Sequence, residues 1–245
     1  MWKAFLILLT ISQSAYAYRF TRDFQNGFYW RNLPIDISVV ENDPVRRKNL
    51  ETLTATAIRE WEDSTGLEIW NFLPGSPTTN VIRWSNNFKA ETSMDPENVL
   101  AVAIRYTEGP YFSKTEIIIN GSHPYNLNLS YLLTTITHEL GHTMGLDHSD
   151  VSSAIMWPEL QLVYGVGVGQ DDVLGLTAAY DTIIDRQLTR YVSPLAYESS
   201  SESQGLSCAT VTTTPMAAGQ GVVSLLLGIL ISFVRKVKAK FKSFP

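Results

Sequence analysis

His138-Glu139-Leu140-Gly141-His142-Thr143-Met144-Gly145-Leu146-Asp147-His148 packs three of the chain's four histidines into eleven residues around one glutamate. Residues four apart on a helix stand one above the other on the same face, so His138 and His142 can aim ring nitrogens at a single ion. Glu139 lies about 100° round the helix, where it reaches a metal-activated water without displacing a histidine. Gly145 supplies a turn that glycine makes at little steric cost, commonly in the left-handed conformation that ends helices. That turn returns His148 as a third ligand. Three neutral imidazoles leave a fourth position open, which separates a catalytic zinc from a closed structural one.

A bare H-E-x-x-H arises by chance in roughly one chain in a hundred of this length, from average residue usage. Gly145 and His148 at their offsets lower that by a further factor of about several hundred, on the same usage. A solvated helix face is therefore a poor explanation of the run.

The pattern H-E-x-x-H-x-x-G-x-x-H, followed by Ser153-Ala154-Ile155-Met156-Trp157-Pro158, resembles the metzincin metalloendopeptidases and their methionine turn. Ser149 after the third histidine, and an aromatic residue then proline after Met156, resemble the matrixin branch. The resemblance covers roughly residues 28 to 185. It implies an α+β, zincin-like fold: a twisted, mostly parallel five-stranded sheet with one antiparallel edge strand, three main helices, and a cleft between a larger N-terminal and a smaller C-terminal subdomain. It further implies that Met156 forms an apolar floor beneath the imidazoles, and that an extended substrate lies beside the edge strand Leu100 to Thr107.

Local patterning agrees with such a fold. Trp30 to Val40 alternates apolar and polar residues as a half-buried strand does. Pro44 to Ser64 carries apolar residues near helical spacing and meets a stop at Gly66. Further strands are predicted over Leu67 to Leu73, Val81 to Ser85, Leu100 to Thr107 and Thr115 to Asn120, the last closed by the turn pair Asn120-Gly121. The active-site helix is predicted from Ser130, read as its N-cap, to Met144. Asp171 to Tyr180 resembles the last matrixin helix, with carboxylates in its first turn where the helix dipole favours them.

The ends of the chain read differently. Residues 1–17 have the form of a secretory signal peptide, with Lys3, the apolar run Ala4 to Ile11 and Ala15-Tyr16-Ala17 as cleavage site. Residues 18–190 are then the catalytic domain, 191–215 a Ser/Thr-rich linker, 216–234 a hydrophobic membrane or sorting segment, and 235–245 a basic tail that the positive-inside rule keeps cytoplasmic. The protein is expected outside the cell or at its surface, anchored or sorted by this tail, which is its only membrane contact. Cys208, the single cysteine, is a candidate processing or lipidation point or an incidental linker thiol, and no disulfide can form within the chain. Many matrixins are held latent by a propeptide cysteine; none precedes the first strand here, so the mature enzyme is expected to be active from the start unless a separate inhibitor holds it.

Six of the 19 basic residues lie at the two ends, so the remaining 13 face 24 acidic side chains, a balance that argues against nucleic-acid binding. The expected activity is that of a monomeric zinc metalloendopeptidase with one catalytic Zn²⁺ on His138, His142 and His148, Glu139 as general base, and an extended peptide or protein as substrate. Selectivity is expected from a pocket flanked by the active-site helix and the loop Trp157 to Gln170, whose Gly165, Gly167 and Gly169 fit either mobility or turn-making. Thr134, one turn before His138, is read as setting the pocket's depth or as an ordinary surface threonine. Glu91, Asp95 and Glu97 suit a calcium site or a solvated loop equally, with no EF-hand pattern for Ca²⁺. His123 is read as a loop residue, with contact to substrate as the alternative. A catalytically silent, surface-displayed metzincin-fold binding module is the alternative, as is an adhesion protein whose zinc only stabilises the fold; loss of the base or of a ligand would mark the former, and none is lost.

Overall fold

A computed structural model of the chain describes residues 17–160, 167–197 and 204–210, the last as backbone alone. The expected signal peptide at 1–17, except for Ala17, and the expected hydrophobic segment at 216–234 and basic tail at 235–245 lie outside these residues. Among the described residues no helix is long and apolar enough to cross a membrane.

The main sheet is built from β2 (Tyr29–Trp30), β3 (Ile35–Val40), β4 (Trp70–Phe72), β5 (Asn80–Ser85), β6 (Val99–Glu108), β7 (Tyr111–Asn120) and β9 (Gln204–Thr210). Its order is β4-β3-β5-β7-β6-β9, with β2 paired to β7. Strands β4, β3, β5 and β7 run parallel, and β6 runs antiparallel to β7. These are the five strands expected from the resemblance. β9 lies outside β6 and antiparallel to it, inside the stretch whose composition reads as linker. A small separate ladder joins β1 (Arg19–Phe20) to β8 (Leu146–Asp147).

The strand predicted over Trp30 to Val40 is divided, with Pro34 between β2 and β3. Proline has no N–H to give a ladder, so pairing resumes only after it.

Helix α2 (Pro44–Thr65) begins where Asp43 accepts from the N–H of Arg46 at 2.7 Å and ends at Gly66, φ +72°. Pro44 sits in the first turn, where a missing N–H costs nothing. Leu50, Thr54, Ala57, Ile58 and Trp61 form its buried face, which packs with helix α4 (Leu129–Thr143) and one side of the sheet in the principal core. Burying a leucine- or isoleucine-sized side chain contributes about 1.5–3 kcal/mol. The opposite side of β6 and β7 is covered by the short α3 (Phe88–Thr92), with Phe88 against Val102, Ile104 and Ile118. Two more helices complete the fold: α1 (Arg22–Gln25) and α5 (Gln170–Thr189), the latter extending nine residues past the predicted end at Tyr180.

Candidate active site

The N-cap of α4 is Asn128, not Ser130. The Asn128 side chain accepts from Ser130 N and Tyr131 N at 2.9 and 3.4 Å, satisfying two of the donors that a helix start leaves over. Three tryptophans hold the helix by their indole N–H groups. Trp61 donates to Thr137 O (2.8 Å), Trp30 to Thr143 O (2.8 Å) and Trp70 to Thr143 Oγ1 (3.0 Å).

The chain leaves α4 through Gly145 at φ +91°, where an added Cβ would meet Phe24 at 2.5 Å. Glycine is thus required there twice, by the left-handed backbone and by the close approach of α1. Beyond this turn the ring of His148 stands 5.3 Å from His138 and 5.0 Å from His142, centroid to centroid, and the first two rings are 4.6 Å apart. Each of the three offers a nitrogen, and these atoms lie within 4.8 Å of one another.

The ring orientations are fixed from behind. His138 Nδ1 donates to Ile155 O and His142 Nδ1 to Leu146 O, each at 2.7 Å. With Nδ1 carrying the hydrogen, Nε2 is the lone-pair nitrogen, and in both residues it is buried without a hydrogen-bond partner. Buried polar atoms of this kind need an explanation, and a metal ion supplies one. Burial, and then the charge of neighbouring histidines, pushes His138 down to about 3 and His142 well below its ordinary value, against the raising effect of the carbonyl bonds. The rings are therefore neutral at physiological pH, the state a metal requires. Three imidazole nitrogens, with a fourth position left for water, would suit a catalytic zinc. Glu139, between the first two histidines in sequence, is completely buried.

The loop after His148 is tied by Asp171 and Asp172. Asp172 Oδ2 accepts from Ile155 N (2.7 Å) and Gly169 N (2.8 Å), and Oδ1 from Met156 N (3.0 Å). Asp171 Oδ2 accepts from Ser149 Oγ at 2.7 Å, while Oδ1 accepts from the N–H groups of Ala17 and Tyr18. The helix dipole accounts for carboxylates at these positions, and their hydrogen bonds show that they also brace the turn. Ser149 N donates to Met156 O at 2.9 Å, closing the turn, and Met156 seats against Gly141 on the histidine-bearing face.

Other candidates fall outside the cluster. His123 is buried, bonded to Tyr125 N and Glu97 O, and caps a short 3₁₀ turn. Thr134 donates to Ser130 O on the helix surface. Glu91 is engaged by Arg83 and Ser85, and Asp95 by Glu97 N and Asn98, so among the described residues these carboxylates form no metal cluster. Cys208 lies in β9, opposite Val102. Of the loop Trp157 to Gln170, residues 161–166, including Gly165, lie outside the described residues.

The family model for matrixin matches residues 29–181, more than half of the chain. The chain belongs to the matrixin family. This matrixin is 35% identical to human matrix metalloproteinase-20 over 91 residues, 35% of the chain and 18% of that protein. It is 27% identical to human neutrophil collagenase over 138 residues, 54% of the chain and 28% of that protein. With rabbit macrophage metalloelastase it shares 26% over 164 residues, 62% of the chain and 33% of that protein. The matched stretch thus spans a third or less of each relative. It takes in β2 to the first half of α5, and with them the three-histidine zinc site of this matrixin.

Proposed function

We propose that this matrixin is a zinc metalloendopeptidase acting on extracellular proteins. The observation that carries the reading is the convergence of ligand nitrogens from His138, His142 and His148 within 4.8 Å of one another, close in sequence to the buried carboxylate of Glu139. Zinc, when bound, supplies Lewis acidity toward water and the scissile carbonyl. The carboxylate of Glu139 takes a proton from the attacking water and returns it to the leaving amine. His138 and His142 stay neutral and are oriented through Ile155 O and Leu146 O. The substrate binds extended along β6, where main-chain pairing gives affinity with little sequence information, and the pocket beside α4 gives selectivity.

The chain is exported by the leader at 1–17, with the catalytic domain outside the cell and residues 216–245 serving as anchor or sorting signal, and it acts as a monomer. The support for export and anchoring is the hydrophobic and basic patterning of the two ends.

The test is cleavage of a mixed peptide library by the zinc-loaded protein over long incubations. Cleavage that stops with a chelator and returns with zinc supports the peptidase. A folded, zinc-loaded protein that cleaves nothing supports the silent binding module.

A further inference from the structure

A strand within a sheet has two edges. That of β6 facing β7 is used in the main ladder, and the other is the edge an extended substrate needs. In this chain it is taken. β9 pairs with β6 from Tyr106↔Gln204 to Val99↔Thr210, across almost the whole strand, and also lies against α4. One edge accommodates one chain, so β9 and substrate exclude each other.

The level of β9 relative to the zinc site follows from two ties between β6 and the α4 segment. Asn126, just ahead of α4, donates to Leu100 O at 2.8 Å, and Arg105 donates to the carbonyl of His142 at the other end of the helix. Ala101 to Arg105 therefore run beside α4 toward its zinc ligands, and their partners Ala209 to Gly205 run with them.

We propose that Gln204–Thr210 is an intramolecular inhibitor that occupies the substrate edge of β6 and must leave before a substrate strand can pair. The inference rests on the peptidase reading above. It replaces the expectation of an enzyme active from the start: the restraint comes from the C-terminal side of the domain and works by strand addition. Being tethered, the segment competes at the high effective concentration of a short linker, which a dilute peptide cannot match. The inhibition is competitive, so it raises KM and leaves kcat unchanged.

The full-length, zinc-loaded protein in mild detergent provides the test, with a fluorogenic peptide selected from the library. Two variants disturb β9: Ser207→Pro, which puts proline in the middle of the ladder, and replacement of residues 204–210 by an equally long Gly/Ser sequence. We expect KM to fall by about tenfold or more, as removal of a competitor at roughly millimolar local concentration implies, with kcat nearly constant. An unchanged KM in the folded Gly/Ser variant would show that β9 only covers an edge and would overturn the proposal. A measurement without any change in β9 uses zinc-bound Glu139→Gln, in which the peptide binds uncut. Saturating peptide should increase hydrogen exchange at the amides of 204–210, and unchanged exchange would count against displacement. Cleavage inside 204–210 by the wild type, absent in Glu139→Gln, would make the segment a substrate and overturn its inhibitory role. Equal, measurable activity in all forms sinks this inference alone, whereas zinc-bound silence in all of them sinks the peptidase reading too.

Discussion

Arg105 and Asp23, 82 positions apart, share two hydrogen bonds at 2.8 and 3.0 Å, and the third arm of the guanidinium reaches the carbonyl of His142. The arginine is 1% exposed, so the pair is a buried strut from α1 through β6 to the end of the zinc-bearing helix. Arg105→Met leaves the Asp23 carboxylate without its cation, and breaking a buried pair in this way costs about 3–5 kcal/mol. Urea unfolding should show that loss, with partial recovery when Asp23→Asn is added.

The same pair sets a pH dependence. Burial would raise Asp23, but the charge and hydrogen bonds of Arg105, with those of Thr21 and Phe24, outweigh it and hold the carboxyl below its ordinary 3.8. The folded state thus favours the ionised form. The stabilisation is complete above the unfolded value and is lost as pH falls through the lower folded value. Arg105→Met should remove this acid-side dependence, seen as a flatter plot of unfolding free energy against pH below 4.

Gly141 is constrained as tightly as the turn glycine. A Cβ there would lie 2.4 Å from the Met156 sulfur and 3.1 Å from Trp61, both in the packed core. Gly141→Ala must push the methionine turn away from α4, at about 1–3 kcal/mol for overpacking. Calorimetry should show the lower midpoint. Combined with Met156→Ala, the total should be less than the sum of the single changes, because the two side chains compete for one space.

Without zinc, the ligand histidines make the fold acid-sensitive. Burial and His148 together lower His138 from 6.5 to about 3. Between those values the unfolded chain takes up a proton that the folded one refuses, so stability falls as pH drops across the window. Unfolding midpoints of chelator-treated protein, measured from pH 7.5 to 4, should decline steadily. A flat profile would contradict the buried, neutral state of His138.

Asp172 behaves in the opposite sense. Burial raises its pKa despite the N–H groups of Gly169, Ile155 and Met156 that it accepts. Its contribution to stability is full below the ordinary carboxyl value and decreases as pH rises through the raised one. Asp172→Asn turns an amide NH₂ toward backbone N–H groups, at about 1–3 kcal/mol for each donor left unsatisfied. The methionine turn should loosen, lowering both thermal midpoint and zinc affinity.

The zinc motif was legible because its geometry is local: a four-residue helical spacing, then one glycine turn. Helix α2 and strands β5 to β7 were legible for the same reason, through period and stop signals. Arg105 was not, since a single cation in a strand gains its meaning from Asp23, far away in sequence. The indole donors Trp30, Trp61 and Trp70 read only as apolar. Asn128 does not stand out in the sequence because Ser130, two residues later, satisfies the same rule. β9 has no signal of its own, and Gln204–Thr210 becomes a strand because β6 offers an unpaired edge that sequence places a hundred residues earlier.

The most direct measurement compares wild type and Glu139→Gln, both loaded with one zinc per chain, for hydrolysis of the same peptide. General-base catalysis by Glu139 requires a fall of about 10²–10⁴-fold in kcat with zinc retained. Equal turnover by the two zinc-bound proteins would contradict the assignment of Glu139 and the peptidase mechanism built on it.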